Sequence, residues 1–471
     1  MSGSKAVVFN VLADRYASPE MCRIWSAENK VVLERELWLA VLQAQSDLGV
    51  TVAAGAIEAY RAVVHKVDLD SIEGRERVTK HDVKARIEEF SALAGHEEIH
   101  KGLTSRDVTE NVEQMQVRDA VVLVRDRMVA TLARLAERAV EHSDLALTGR
   151  SHNVAAQVTT FGKRLSNAGE ELLAALERVE DLLRRYPLRG LKGPVGTQQD
   201  LLDLFGGEVS LVAEVEQRVA SHLGFERVLG SVGQVYPRSL DLDVVSALVQ
   251  SVSGPANLCL TLRLMAGAGL ATEGFVPGQV GSSAMPHKRN ARSSERVTAL
   301  THVLGGHLAM VTALVGDQWN EGDVSCSAVR RVALPDAFFA TDGLFETFLA
   351  VLRGLAPYPD AISEELAREL PFLGTTKMLM ALVKRGVGRE EGHEAIKEHA
   401  LAASGDGHRF MSALAGDGRI GLDEGELRAL LGSPLDLAGA APAQVAAFAA
   451  RVDALAQAHP IAARYRGAEV L

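Results

Sequence analysis

The stretch Val117-Arg118-Asp119-Ala120-Val121-Val122-Leu123-Val124-Arg125-Asp126-Arg127-Met128-Val129-Ala130-Thr131-Leu132-Ala133-Arg134-Leu135-Ala136-Glu137-Arg138-Ala139 lies within a run, Leu103 to Thr148, that contains neither glycine nor proline. Val121, Val124, Met128, Leu132, Leu135 and Ala139 recur at intervals of three and four, the period of an amphipathic helix. Most helices in globular proteins stop after three or four turns. One this long cannot be covered by a small domain and needs a bundle and partner chains around it.

The pattern repeats outward from this stretch. Ser26 is placed to cap a helix carrying Leu33, Leu37, Val41, Ala44 and Leu48, with Gly49 as its stop. On the other side, Gly149-Arg150-Ser151-His152-Asn153 interrupts the periodicity. Phe161, Leu165, Ala168, Leu172, Leu176, Val179 and Leu182 then mark a second long helix, ended by Pro187. A third is expected over 239–273 with a kink at Pro255, a fourth over 293–319, and a fifth from Ser327 to about 353 with a break at Pro335. After Pro357 and Pro359, short amphipathic segments punctuated by Gly and Pro follow. The expected architecture is all-α. It has an N-terminal helical domain (1–104), a central long-helix bundle (105–356) and a C-terminal helical cap (357–471).

Composition narrows the function. Hydrophobic residues make up 47% of 471 residues and aromatics only 5%, which favours packed helices over a sandwich. A net charge of −11 argues against a nucleic-acid surface, while leaving room for a locally basic pocket. Cys22, Cys259 and Cys326 are scattered, and an odd count without metal spacing fits a reducing cytoplasm. The sequence shows no signal-peptide core, and no run of about 18 apolar residues that would suggest a membrane span. The fourteen histidines include no H-E-x-x-H ligand set, and no metal or redox cofactor is expected.

The richest chemistry lies in Gly281-Ser282-Ser283-Ala284-Met285-Pro286-His287-Lys288-Arg289-Asn290. Glycines open this segment and a proline breaks it, so it reads as a loop (278–291) between long helices, where functional groups concentrate. Lysine and asparagine together suit a carboxylate. A serine can act as a base only where dipoles and a cation stabilise its alkoxide. Two histidine-bearing stretches stand out upstream: Thr79-Lys80-His81-Asp82-Val83, and His100-Lys101-Gly102-Leu103-Thr104-Ser105-Arg106-Asp107. Thr104 and Asp107 also fit a helix-capping pattern that requires no ligand. A histidine beside an aspartate, or at a helix end as at His152, is by itself more often structural than catalytic.

The loop resembles the signature Gly-Ser-Ser-x-Met-Pro-x-Lys-x-Asn of the fumarase/aspartase superfamily, and histidine before the lysine is similar to the adenylosuccinate lyase branch. The resemblance extends to the two histidine stretches, to Ser151-His152 followed by Thr159-Thr160-Phe161-Gly162, and to Asp323–Arg331. Serine at 151 and valine at 158 replace a commoner threonine and proline. Gly322 stands where arginine is frequent, so one anion contact is missing from the pattern.

This resemblance implies a lyase that releases fumarate from a succinylated purine nucleotide, namely adenylosuccinate and the succinyl-aminoimidazole-carboxamide ribotide. It places the base at Ser282 and the acid at His152, oriented by Glu295, with Lys288 and Asn290 stabilising the aci-carboxylate. Arg15, Tyr16, Ser327 and Arg331 would hold the phosphate. His81, Asp82, His100, Thr104, Ser105, Gln234, Arg238, Ser283 and Met285 would line the substrate site. It further implies a homotetramer with active sites built from several chains. Two alternatives stand beside it. One is a paralogue cleaving another N-succinyl adduct, which the nonpolar Met265–Leu270 stretch leaves open. The other is a non-catalytic helical scaffold, against which the intact Ser282, His152, Lys288 and Glu295 argue.

Overall fold

The computed structural model describes residues 9–275, 284–285 and 287–469. The expected helix after Ser26 runs Ala27–Asp47, and the Ser26 hydroxyl accepts the Asn29 N–H at 3.1 Å. The long helix spans Ser105–Glu141, 37 residues, and is therefore about 55 Å from end to end. It packs against Phe161–Arg185 and against Ser327–Gly354. Arg292–Thr312 lies along the last of these. One hydrophobic core runs through all of them and takes in the N-terminal helices through Leu37, Trp38 and Phe90.

Several expectations change. The long helix stops at Glu141, and residues up to Thr160 form an antiparallel hairpin, Ala146–Ser151 against Val154–Thr160. His152 and Asn153 form its two-residue turn, both with positive φ (52° and 62°), as the tight primed turns of hairpins require. Threonines and valines such as Thr148, Val154, Val158 and Thr159 favour the strands. The 239–273 segment divides at Val252 into Ser239–Ser251 and Ser253–Gly267, so that Pro255 sits in a first turn, where it is tolerated. Taken together, Ser239–Gly267 is long and apolar enough to cross a membrane, unlike the sequence expectation. Here it packs on Phe161–Arg185 and Arg292–Thr312 as a bundle helix. Pro335 does not break its helix, which continues through it to Gly354. Packing on both sides holds the helix, although proline leaves the Arg331 carbonyl without an intrahelical donor.

The C-terminal region has a core of its own around Met378, Phe410, Leu414 and Leu427. Beyond it, Ala441–Ala458 returns to the bundle and buries Val445, Phe448 and Val452 in the main core. The boundary expected at 357 therefore separates the elements less cleanly than the sequence suggests.

Candidate active site

The wall of the site is built on the first turns of the long helix. Asp107, Glu110 and Glu113 follow one another at intervals of three, so they share one face. Each meets an arginine from a different element: Arg189 at 2.6 Å, Arg238 at 2.9 Å and Arg330 at 2.6 Å. Asp107 also accepts the backbone N–H groups of Thr104, Lys192 and Gly193. Arg330 reaches Asp241 at 2.7 Å, and the Tyr236 hydroxyl donates to Asp241 at 2.8 Å. Burial opposes the charge on Glu113, but the Arg330 guanidinium overrides it and holds the carboxyl below its ordinary range. Buried charges persist only when paired in this way.

This frame positions a cleft of about 200 Å³ at the N-terminal end of the long helix. His81, Asp82, Ser105, Ser327 and Arg331, five of the expected substrate residues, line it. They come from three helices far apart in sequence. The His81 Nδ1 accepts the Lys84 N–H at 3.2 Å, capping Asp82–Ala94. An accepting nitrogen carries no proton, so the ring's N–H is on Nε2, 3.3 Å from the Ser105 hydroxyl. Asp82 lies below its ordinary range: burial pushes it up, but Arg86 and the Val83 N–H outweigh that.

His100 stands behind this group with φ of 70°. Its Nδ1 accepts the Trp38 indole N–H at 3.1 Å. Burial pushes its pKa down to about 4, with Asp107 opposing, so the ring is neutral at physiological pH. Thr104 is the N-cap residue of the long helix, as the capping pattern indicated.

Two expected ligands take other places. Arg238 has a fully buried side chain, ion-paired to Glu110 and stacked on Tyr236 at 4.5 Å. It braces the wall from behind and does not line the cleft. Gln234 donates its N–H to the Glu321 carbonyl at 2.6 Å, and its side chain presses on Gly322. A Cβ at position 322 would lie 2.6 Å from Gln234 Cβ. The arginine missing from the family pattern has no room here.

The remaining residues lie elsewhere in the chain. Tyr16 ends the short helix Val11–Arg15 and packs against Gly343, where a Cβ would come within 2.6 Å of Tyr16 Cβ. The Arg296 guanidinium lies 5.4 Å from the Tyr16 ring, and Arg15 is exposed beside them. Glu295 is exposed on the first turn of Arg292–Thr312, whose leading N–H groups at Ser293 and Ser294 bind Glu273 at 2.8 Å. Lys288 and Met285 are exposed and joined by a backbone hydrogen bond of 3.0 Å, with Asn290 half-buried close behind. Ser282 and Ser283 lie outside the described residues. His152 is exposed at the hairpin tip, and among the described residues it forms no ion pair with Glu295.

The hairpin docks on the C-terminal helix Pro359–Leu373, through Arg150 paired with Glu365 and through Val158 against Leu366 and Leu373. Because it follows Glu141 in the chain, the hairpin starts at the far end of the long helix. Even fully extended, the eleven residues from Glu141 to His152 reach less than about 40 Å along a helix of about 55 Å, so within one chain His152 cannot reach Ser105. Lys30, Arg106, Thr109 and Glu113 also line the cleft. Sequence reading missed them, because on amphipathic helices they look like ordinary solvated or paired polar side chains.

Fold and sequence place this arrangement in a class. A sequence profile described as Lyase matches residues 15–305, and one described as Adenylosuccinate lyase C-terminus matches residues 371–448. The same fold occurs in a fumarate lyase from Mesorhizobium sp. BNC1, with TM-score 0.80 and 21% identity, covering 94% of this chain and 100% of the other. A 3-carboxy-cis,cis-muconate lactonizing enzyme from Pseudomonas putida gives TM-score 0.81 and 20% identity, covering 94% and 99%. The protein is thus an all-α lyase of the fumarase/aspartase superfamily.

Curated relatives narrow this further. Adenylosuccinate lyase from Saccharomyces cerevisiae is 37% identical, covering 83% of each chain. That from Schistosoma mansoni is 33% identical over 84% of each. That from Methanothermobacter thermautotrophicus is 33% identical over 85% of this chain and 89% of its own. The chain belongs to the adenylosuccinate lyase family.

Proposed function

We infer that the protein eliminates fumarate from adenylosuccinate, giving AMP, and from the succinyl-aminoimidazole-carboxamide ribotide. One observation supports the nucleotide assignment most directly: the cleft that gathers His81, Ser105, Ser327 and Arg331 at one helix end. Hydroxyls, an imidazole N–H and a guanidinium are the donors a phosphate end requires. Ser282 is the base that removes the proton next to a carboxylate. Lys288 and Asn290 stabilise the aci-carboxylate that develops. His152 protonates the departing nitrogen, and Glu295 positions its ring.

In this reading the active site is shared between chains. One chain holds the phosphate cleft at one end of the long helix and starts the hairpin from the other, which favours sites completed by a second chain. Leu260 and Leu264 on Ser253–Gly267, and Val303 on Arg292–Thr312, are exposed apolar side chains on bundle helices. They suit association into a homotetramer. The relatives give no support to a paralogue acting on another N-succinyl adduct.

Incubating the protein with adenylosuccinate and following fumarate tests the reading. Stoichiometric fumarate and AMP are expected. No release, from a protein that sediments as a folded oligomer, would overturn it.

A further inference from the structure

The cleft contains a cation that nothing above assigns. Lys30, near the start of Ala27–Asp47, lines the cleft with Arg331. Among the described residues, neither has an ion-pair partner within 4 Å. The other charged side chains in the lining each lie against an opposite charge, although Arg86 is shared with Glu34 and Arg330 with Asp241. Asp82 faces Arg86 at 3.5 Å, Glu113 holds Arg330 at 2.6 Å, and Arg106 holds Glu110 at 3.2 Å. Lys30 acts electrostatically on Glu34, Asp82 and Glu113 without contacting them. Two cations in the lining are thus without an ion-pair partner. A phosphate monoester carries about −1.5 to −2 at neutral pH, and such a group suits two neighbouring unpaired cations better than a single carboxylate does.

Position 322 sharpens the point. Its glycine supplies no cation, and Gln234 leaves no room for one. We propose that Lys30 binds the substrate phosphate together with Arg331, supplying from the N-terminal helix the second positive charge that position 322 does not. This deepens the nucleotide reading and rests on it. A lysine there acts as a mobile point charge, whereas Arg331 can donate in pairs.

The test compares adenylosuccinate with its dephosphorylated nucleoside on wild type, Lys30→Ala, Lys30→Arg and Arg331→Ala. Charge-assisted hydrogen bonds predict that Lys30→Ala raises the nucleotide KM about ten- to a hundredfold. Its nucleoside KM should shift by less than about twofold, and Lys30→Arg should recover most of the loss. Competitive inhibition by AMP and by adenosine provides a second measurement if the nucleoside turns over too slowly, with only AMP weakened. The proposal is overturned if Lys30→Ala leaves the nucleotide KM and AMP inhibition unchanged, or raises both KM values alike. If Arg331→Ala shows the phosphate effect and Lys30→Ala does not, Lys30 alone is wrongly assigned. Failure of wild type to release fumarate from either substrate would sink the functional reading itself.

Discussion

The two ends of the long helix are built differently. At the N-terminal end, His81 has its tautomer set by a backbone N–H, Ser105 sits against it, and a ladder of three carboxylates and three arginines stiffens the wall behind. At the opposite end, His152 stands on an exposed hairpin turn without an ion pair to Glu295. In the proposed reading the first end binds the phosphate with groups from one chain. In the same reading the second carries the acid, and among the described residues His152 has no ion pair with Glu295. Binding groups can be preorganised locally, while a histidine that must meet a base from another loop depends on assembly.

The largest expected effect tests that contrast directly. His152→Ala and Ser282→Ala should each lower kcat by three orders of magnitude or more, roughly the 4 kcal/mol associated with losing a principal catalytic group. Mixing the two inactive variants under conditions of subunit exchange should restore measurable turnover, because some sites would then combine intact residues from different chains. Glu295→Gln should cost less than His152→Ala, and the double variant little more than His152→Ala alone. Absence of any recovery in exchanged hybrids, or a fully active monomer, would break the comparison.

The next effect probes the preorganised end. Asp107 and Arg189 are fully buried in each other's company, so Asp107→Ala leaves a buried guanidinium uncompensated. The expected cost is about 3–5 kcal/mol of stability, read by urea denaturation. A loss below about 1 kcal/mol would mean that water or relaxation replaces the carboxylate, and that the wall is less rigid than its geometry implies.

How much of this was legible in the sequence follows from the kind of physics involved. The long helices could be read because periodicity over many turns is a strong local signal. The hairpin around His152 could not, because its strands are short and its turn lacks the Asn-Gly pair that usually announces one. His81, Ser105, Ser327 and Arg331 were found through the family resemblance, and only the fold shows them in one cleft. Arg238 and Arg331 share the same resemblance; only the fold shows Arg238 buried against Glu110 and Arg331 lining the cleft. Lys30 carried no signal, since a lysine on an amphipathic helix is ordinarily solvated. That Glu110 would face Arg238, across a large stretch of sequence, depends on tertiary packing and has no local signature.

A pH experiment tests His100 at the same end. Its folded pKa of about 4 lies below the ordinary 6.5, so in that window the folded state binds fewer protons than the unfolded one. Stability from this residue is therefore fully present above pH 6.5 and is lost as the pH falls towards about 4, to a total of about 3 kcal/mol at most. His100→Gln keeps an acceptor for the Trp38 indole but does not titrate. Its melting temperature should fall less steeply than that of wild type between those two pH values. Parallel curves would mean that His100 is not held neutral by burial.

The smallest expected effect separates two jobs of one side chain. His81 caps Asp82–Ala94 through Nδ1 and points Nε2–H at Ser105 and the cleft. His81→Asn should keep the cap, since asparagine is among the best N-cap residues, and remove the donor. Melting should then stay within a few tenths of a kcal/mol of wild type, while the KM for adenylosuccinate rises about two- to tenfold, the range for one hydrogen bond. The reverse result, a lowered melting temperature with an unchanged KM, would reduce His81 to a helix cap. The N-terminal end would then owe its binding to Ser105, Ser327 and its cations alone.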